Sequence, residues 1–275
     1  MFENLLKNKL NIKFFKETNC YAFEIENFLS DEQYNALREN LPDIKINEFK
    51  DYNASFDDQN SQHRLKAFVT EVNHASYDKL MLDNPILNEF VQTMKNPEFG
   101  NKIMKKFFFK ILKSRVFDKN TLLKLIIRKN RSIKEKSYSL VDKLLYNDIV
   151  THVGLTYMAE GAQIFPHTDG MKKILSMMLY FPEENISDNI NKNLGTTFWN
   201  SNEFSLKESG KDAKVKTFED SEQFKKENQV SLNFPFKKKN IFGFIKSHKS
   251  WHSLEPIRVQ EGFIRKNMNI NLLLV

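Results

Sequence analysis

Two short stretches of this chain hold the residue types that bind a transition metal. Pro166-His167-Thr168-Asp169-Gly170 places an imidazole and a carboxylate two residues apart. In an extended strand, residues i and i+2 point the same way, so His167 and Asp169 can meet one ion. A second imidazole must come from elsewhere. Trp251-His252-Ser253-Leu254 offers one within an apolar, strand-like run. Two neutral imidazoles and one carboxylate on one face of Fe(II) leave the remaining positions open for exogenous ligands. His248 is a rival ligand, but Lys246-Ser247-His248-Lys249 reads as a turn. His63, His74 and His152 read as structural or exposed.

The neighbouring residues add context. Tyr157-Met158-Ala159-Glu160-Gly161 reads as a strand running into a turn just before the His-x-Asp pair, and an apolar strand ending in Tyr180 follows it. Gly195-Thr196-Thr197-Phe198 and the basic Arg265-Lys266-Asn267-Met268-Asn269 come later. Alternation on that last strand sets Arg265, Asn267, Asn269 and Asn271 on one face and Met268, Ile270 and Leu272 on the other. The polar set suits a wet pocket and the apolar set suits packing against helices.

With these motifs the chain resembles the Fe(II)/2-oxoglutarate-dependent oxygenases, nearest the prolyl-4-hydroxylase-like branch. The resemblance covers roughly 148–275, and Phe23-Glu24-Ile25-Glu26-Asn27-Phe28-Leu29-Ser30 is similar to the start of that domain. It implies a double-stranded β-helix, or jelly roll. It implies that His167, Asp169 and His252 hold iron. It also implies that Arg265 holds the far carboxylate of 2-oxoglutarate, with Tyr157 as hydrogen-bond partner. The implied reaction hydroxylates a substrate C–H bond and releases succinate and carbon dioxide. The chain departs from the family at Thr156, where an Arg often precedes the Tyr, and in the long gap of 83 residues between Asp169 and His252. Lys266 competes with Arg265 for the carboxylate. Two other readings are a cupin-type metal enzyme that does not use 2-oxoglutarate and a non-enzymatic jelly roll that binds an anionic surface.

These residues need a scaffold. Residues 20–28 read as a strand. Ser30 caps a helix over 31–40, with Gln33 completing a capping box. A helix over 76–94 is interrupted near Pro85. From Lys102, Ile103, Met104, Phe107, Phe108, Ile111 and Leu112 recur at helical spacing, with lysines on the other face. Further helical pieces are expected at 122–128 and 138–146. After residue 148 come short β-type runs at 149–158, 174–181, 195–199, 241–245, 251–254 and 268–275. Helices first and strands afterwards predict a mainly β fold with helical elaboration. The expected division is a supporting region, 1–147, and a catalytic core, 148–275. The polar stretch 200–230 is expected to be an insertion or lid.

Composition narrows the class. The chain has 275 residues, 40% of them hydrophobic and 28% charged, an ordinary globular mix. One cysteine, Cys20, excludes an intramolecular disulfide, and a reducing cytoplasm suits it. No apolar run approaches the roughly 18 residues of a membrane span, and residues 1–10 lack the continuous apolar stretch of a secretory signal. The net charge of +7 is uneven. Residues 102–136 carry 13 Lys/Arg against 2 Asp/Glu, a local +11, which leaves −4 for the rest. An anionic surface is therefore a candidate partner for 102–136, nucleic acid is not favoured without a recognition motif, and the substrate is open among small molecules, peptides and glycans.

Overall fold

The structure is a computed structural model, and it describes residues 1–43, 66–71, 77–114, 149–170, 172–183, 193–201, 215, 217–259 and 262–274. The helical pieces expected at 122–128 and 138–146, the basic segment beyond Ser114, most of the polar stretch before residue 215, and His63 and His74 lie outside the described residues.

Helix α1 spans Asn4–Lys7, followed by strands β1 (Ile12–Phe14) and β2 (Ala22–Ile25) and helix α2 (Asp31–Glu39). Ser30 and Gln33 close the capping box in both directions, and the Gln33 amide also donates to Met1 O and Asn4 Oδ1, tying the N-terminus to α2. Next come β3 (Lys66–Val69), α3 (Tyr77–Asp83), α4 (Pro85–Lys95) and α5 (Pro97–Ser114). The break between α3 and α4 falls at Pro85, whose missing N–H suits the first turn of a helix. The rest is β4 (Ile149–Ala159), β5 (Ile164–His167), β6 (Lys173–Phe181), β7 (Thr197–Asn200), α6 (Phe218–Glu227), β8 (Gln229–Asn233), β9 (Ile241–Ile245), β10 (His252–Leu254) and β11 (Ile264–Leu274).

Two antiparallel sheets form. The larger runs β1-β2-β9-β6-β11-β4-β3 and the smaller β5-β10-β7-β8. From β4 to β11 the chain passes back and forth between the sheets, and these eight strands make a double-stranded β-helix with helical elaboration. The N-terminal region shares the core's larger sheet, since β1 and β2 extend it beside β9 and β3 pairs with β4.

Alternation sorts the larger sheet into two faces. Outward, Val153, Leu155, Met268 and Ile270 pack with Leu87, Phe90, Phe99 and Phe107 of the helices. Inward, Met158, Met178, Tyr180 and Phe242 meet Phe198 and Leu254 of the smaller sheet. Helix α6, inside the stretch expected as an insertion, lies outside the smaller sheet and sets Phe224 against Trp199 and Trp251.

Helix α5 begins at Pro97, six residues ahead of Ile103, the first apolar residue that its periodicity marked. Its buried stripe is Phe99, Ile103, Met104, Phe107 and Ile111, with the Phe107 ring tilted against the Phe23 ring at 4.5 Å between centroids. Phe108 is half-buried and Phe109 is 82% exposed. The aromatic side is thus committed to the same chain. Lys102 donates to the carbonyls of Leu5, Leu6 and Asn8, which end α1, and Lys110 lies over the Phe14 and Tyr21 rings. Lys105, Lys106 and Lys113 face outward.

Candidate metal centre

The strand pairing builds the site. β5 ends at His167, β10 begins at His252, and the two residues are register partners across the smaller sheet. Their rings lie 4.2 Å apart between centroids. Asp169 follows in the turn to β6 with φ +64, a left-handed conformation that Asp tolerates better than most residues. The ligand atoms of His167, Asp169 and His252 all lie within 4.8 Å of one another. His167 Nε2 is 3.5 Å from Asp169 Oδ1, and His252 Nε2 is 3.7 Å from Asp169 Oδ2.

Both imidazoles are held from behind. His167 Nδ1 lies 2.9 Å from Phe165 O, and His252 Nδ1 lies 2.9 Å from Ser250 O. A carbonyl only accepts, so this network assigns the proton to Nδ1 and turns the Nε2 lone pair toward Asp169. Burial, with His167 next to it, pushes the His252 pKa down to about 3, which keeps the ring neutral. Phe198 and Phe244 flank that ring. Burial alone would raise the Asp169 pKa, but Lys173 foremost, then the two histidines, hold it well below the usual carboxylate range.

Three groups that can each donate an electron pair therefore converge. Asp169 Oδ2 is buried and makes no hydrogen bond, an arrangement that costs about 1–3 kcal/mol or more when left unsatisfied. A divalent cation at the centre of the three would satisfy it, and a two-imidazole, one-carboxylate set suits Fe(II). The residues present fit such an ion.

The site opens on a cavity of about 190 Å³ between the sheets, lined by the three residues, by Arg265, Asn267, Asn269 and Asn271 of β11, and by Lys173, Thr156, Ser176 and Thr196 among others. Arg265 is 3% exposed. Its Nε donates to Leu194 O at 2.6 Å, its Nη1 donates to Asn267 Oδ1, and its guanidinium lies over the Tyr180 and Phe236 rings. Burial lowers its pKa, and Tyr180 opposes this. Among the described residues, no carboxylate forms an ion pair with Arg265. A buried cation without an anion invites one. Asn267 passes the polarity on by donating to Asn269 Oδ1, and Asn269 donates to Thr156 Oγ1. Gly195 lets β7 start close in, because a Cβ there would lie 1.4 Å from Phe234 O. That close approach brings Thr196 Oγ1 to 3.0 Å from the Tyr180 hydroxyl.

Lys266 points to the opposite face of the sheet, with its ammonium 5.9 Å from the centre of the Tyr157 ring. The expectation for Tyr157 is corrected here. Alternation on β4 places it with Val153 and Leu155 on the helix-packed face, and its hydroxyl donates to Pro42 O at 2.9 Å. The tyrosine whose hydroxyl lies beside the guanidinium is Tyr180, which is Asn267's register partner on β6. Alternation puts Tyr180 on the same face as Met178, and the packing of the two sheets makes that face the inward one. Lys173 was also missed, and its ammonium lies 2.9 Å from Asp169 Oδ1. His248 lies outside the three-residue cluster, in the turn that precedes β10.

No protein-family model matches the chain, and no curated protein matches it. Among solved structures, the chain is similar to a Pseudomonas putida prolyl-4-hydroxylase, at 14% identity and a TM-score of 0.26, covering 45% of this chain and 49% of that one. It is also similar to the epimerase SnoN in complex with Fe3+, alpha-ketoglutarate and nogalamycin RO, at 9% identity and a TM-score of 0.35, covering 76% of this chain and 63% of that one. The chain thus spans about half the length of the first and less than two thirds of the second. At such TM-scores neither likeness bears on the site, whose reading rests on its own geometry.

Proposed function

We propose that the chain is an Fe(II)- and 2-oxoglutarate-dependent dioxygenase that hydroxylates a C–H bond of a small-molecule, peptide or glycan substrate. His167, Asp169 and His252 would hold the iron, and Arg265 would hold the distal carboxylate of 2-oxoglutarate. The bound iron supplies the oxidising chemistry, in which one atom of dioxygen enters succinate as carbon dioxide leaves and the other enters the substrate. The chain's own residues prepare this. The carbonyls of Phe165 and Ser250 keep both Nε2 lone pairs free. Leu194 O and Asn267 Oδ1 fix the guanidinium, whose fork can take a carboxylate with two parallel hydrogen bonds. Phe198 and Phe244 cover the His252 ring and shield that ligand from bulk water.

The observation that carries this reading is the orphaned Asp169 Oδ2 facing His252 Nε2, in the same cavity as the buried Arg265, which has no carboxylate partner among the described residues. A cupin-type enzyme without 2-oxoglutarate gives that arginine no task. The test is an anaerobic titration with Fe(II), then 2-oxoglutarate, followed by visible charge-transfer absorption, and succinate release once air is admitted. Iron binding with no response to 2-oxoglutarate would favour the cupin-type reading. No binding of iron would sink both.

No described helix is long and apolar enough to cross a membrane. With its aromatic stripe buried, α5 would meet an anionic surface through Lys105, Lys106 and Lys113 by electrostatics alone. The lone cysteine is buried and free, which suits a reducing compartment such as the cytoplasm.

A further inference from the structure

The two oxygens of Asp169 have unequal surroundings. Oδ1 receives the Lys173 ammonium at 2.9 Å and has His167 Nε2 at 3.5 Å. Oδ2 has no hydrogen-bond partner and faces His252 Nε2 at 3.7 Å. The ammonium is placed by the fold. Lys173 is the first residue of β6, its N–H donates to Gly170 O at 3.0 Å to close the turn that holds Asp169, and it pairs in register with Leu273 of β11. Asp169 itself takes the left-handed backbone at φ +64, so the turn and the ion pair together fix the direction of the carboxylate.

We propose that Lys173 is a positioning residue that restricts Asp169 to one-oxygen coordination through Oδ2. This rests on the metal-site reading above. A carboxylate can bind an ion through one oxygen or through both, and the two-oxygen mode takes up one more position. An ammonium within hydrogen-bond distance of Oδ1 draws that oxygen's charge away from the ion and opposes its rotation inward. The remaining positions stay open for a chelating cosubstrate and an oxidant, which together need all that a facial set leaves on an octahedral ion.

The test uses Mn(II) as a probe on the full chain. Exchangeable waters on bound Mn(II) are counted from the broadening of its electron paramagnetic resonance lines in 17O-enriched water. Lys173→Met is expected to bind one water fewer than wild type, because Asp169 turns to chelate with both oxygens. Lys173→Arg, which keeps a cationic donor, is expected to retain the wild-type count. Lys173→Gln serves as a second neutral variant should the methionine unfold the turn, as judged by thermal melting. Equal counts in wild type and both neutral variants would overturn the inference and mark Lys173 as a stand-in for the cation. If the wild-type chain binds no Mn(II), the metal-site reading falls and takes this inference with it.

Discussion

Asp169 and Arg265 give the sharpest tests at the scale of single residues. Asp169→Asn swaps the orphaned carboxylate oxygen for a neutral group of the same shape. Fe(II) affinity should fall by more than the roughly 10–100-fold that outer hydrogen-bond partners of metal ligands command, as measured by metal titration. Arg265→Met should raise the KM for 2-oxoglutarate by about 100-fold, near 3 kcal/mol, since it removes one partner of a desolvated charge pair. Fe(II) affinity should stay within about threefold, because Arg265 is not among the three clustered residues that could hold a metal ion. Tyr157→Phe separates the expected from the observed role of that tyrosine. It removes only the hydrogen bond to Pro42 O, so it should cost about 1 kcal/mol of stability and leave the KM for 2-oxoglutarate unchanged. A KM shift comparable to that of Arg265→Met would restore Tyr157 to the site.

Helix α5 shows how one element divides its two faces. Phe107 is fully buried between Phe14 and Phe23, while two residues on Phe109 stands in solvent. Phe107→Ala should destabilise the fold by about 3–5 kcal/mol. Phe109→Ala should change stability by no more than about 0.5 kcal/mol. Urea denaturation of the two variants checks both. At Gly243 of β9 a Cβ would lie 2.5 Å from the Phe23 ring, so the glycine leaves room for the aromatic layer that α5 packs on. The helix's periodicity was plain in the sequence. Its start at Pro97 was not, because Pro97, Glu98 and Gly100 break the apolar rhythm even though Phe99 is buried.

Across the whole molecule, the single cysteine reports on the integrity of the inter-sheet core. Cys20 packs at the edge of that core, and burial raises its thiol from 9.0 to about 12, against a smaller opposing pull from the Thr18 hydroxyl. The unfolded chain therefore loses this proton near pH 9 while the folded chain keeps it until about pH 12. The contribution is fully present below pH 9 and is lost as pH rises toward 12, at up to about 1.4 kcal/mol per pH unit. Wild type should lose stability more steeply than Cys20→Ala between pH 9 and 10.5 in urea titrations. Equal slopes would show that the thiol is accessible in the native state.

The sequence by itself determined what depends on neighbours along the chain. The His167–Asp169 spacing, the Ser30–Gln33 capping box, and the polar and apolar faces of β11 all follow from local periodicity and hydrogen bonding. Strands β4, β6 and β9 were legible within one residue at each end, because buried strands read as near-continuous apolar runs. The short strands β1, β3 and β8 were not. Each draws its order from a neighbour in the sheet rather than from its own pattern, and β8 is largely exposed. Tertiary structure decided the rest. His252 could be proposed as a ligand from its residue type, but only the β5–β10 register sets it beside His167, 85 residues away in the chain. Tyr157 left the site because the helices cover its side of β4, a choice that alternation cannot make alone. Lys173 entered it because the turn at Asp169, where the backbone is left-handed, brings the ammonium four residues on back to the Asp169 carboxylate. Local preference sets which way each side chain alternates, and only long-range packing sets which of the two faces encloses the cavity.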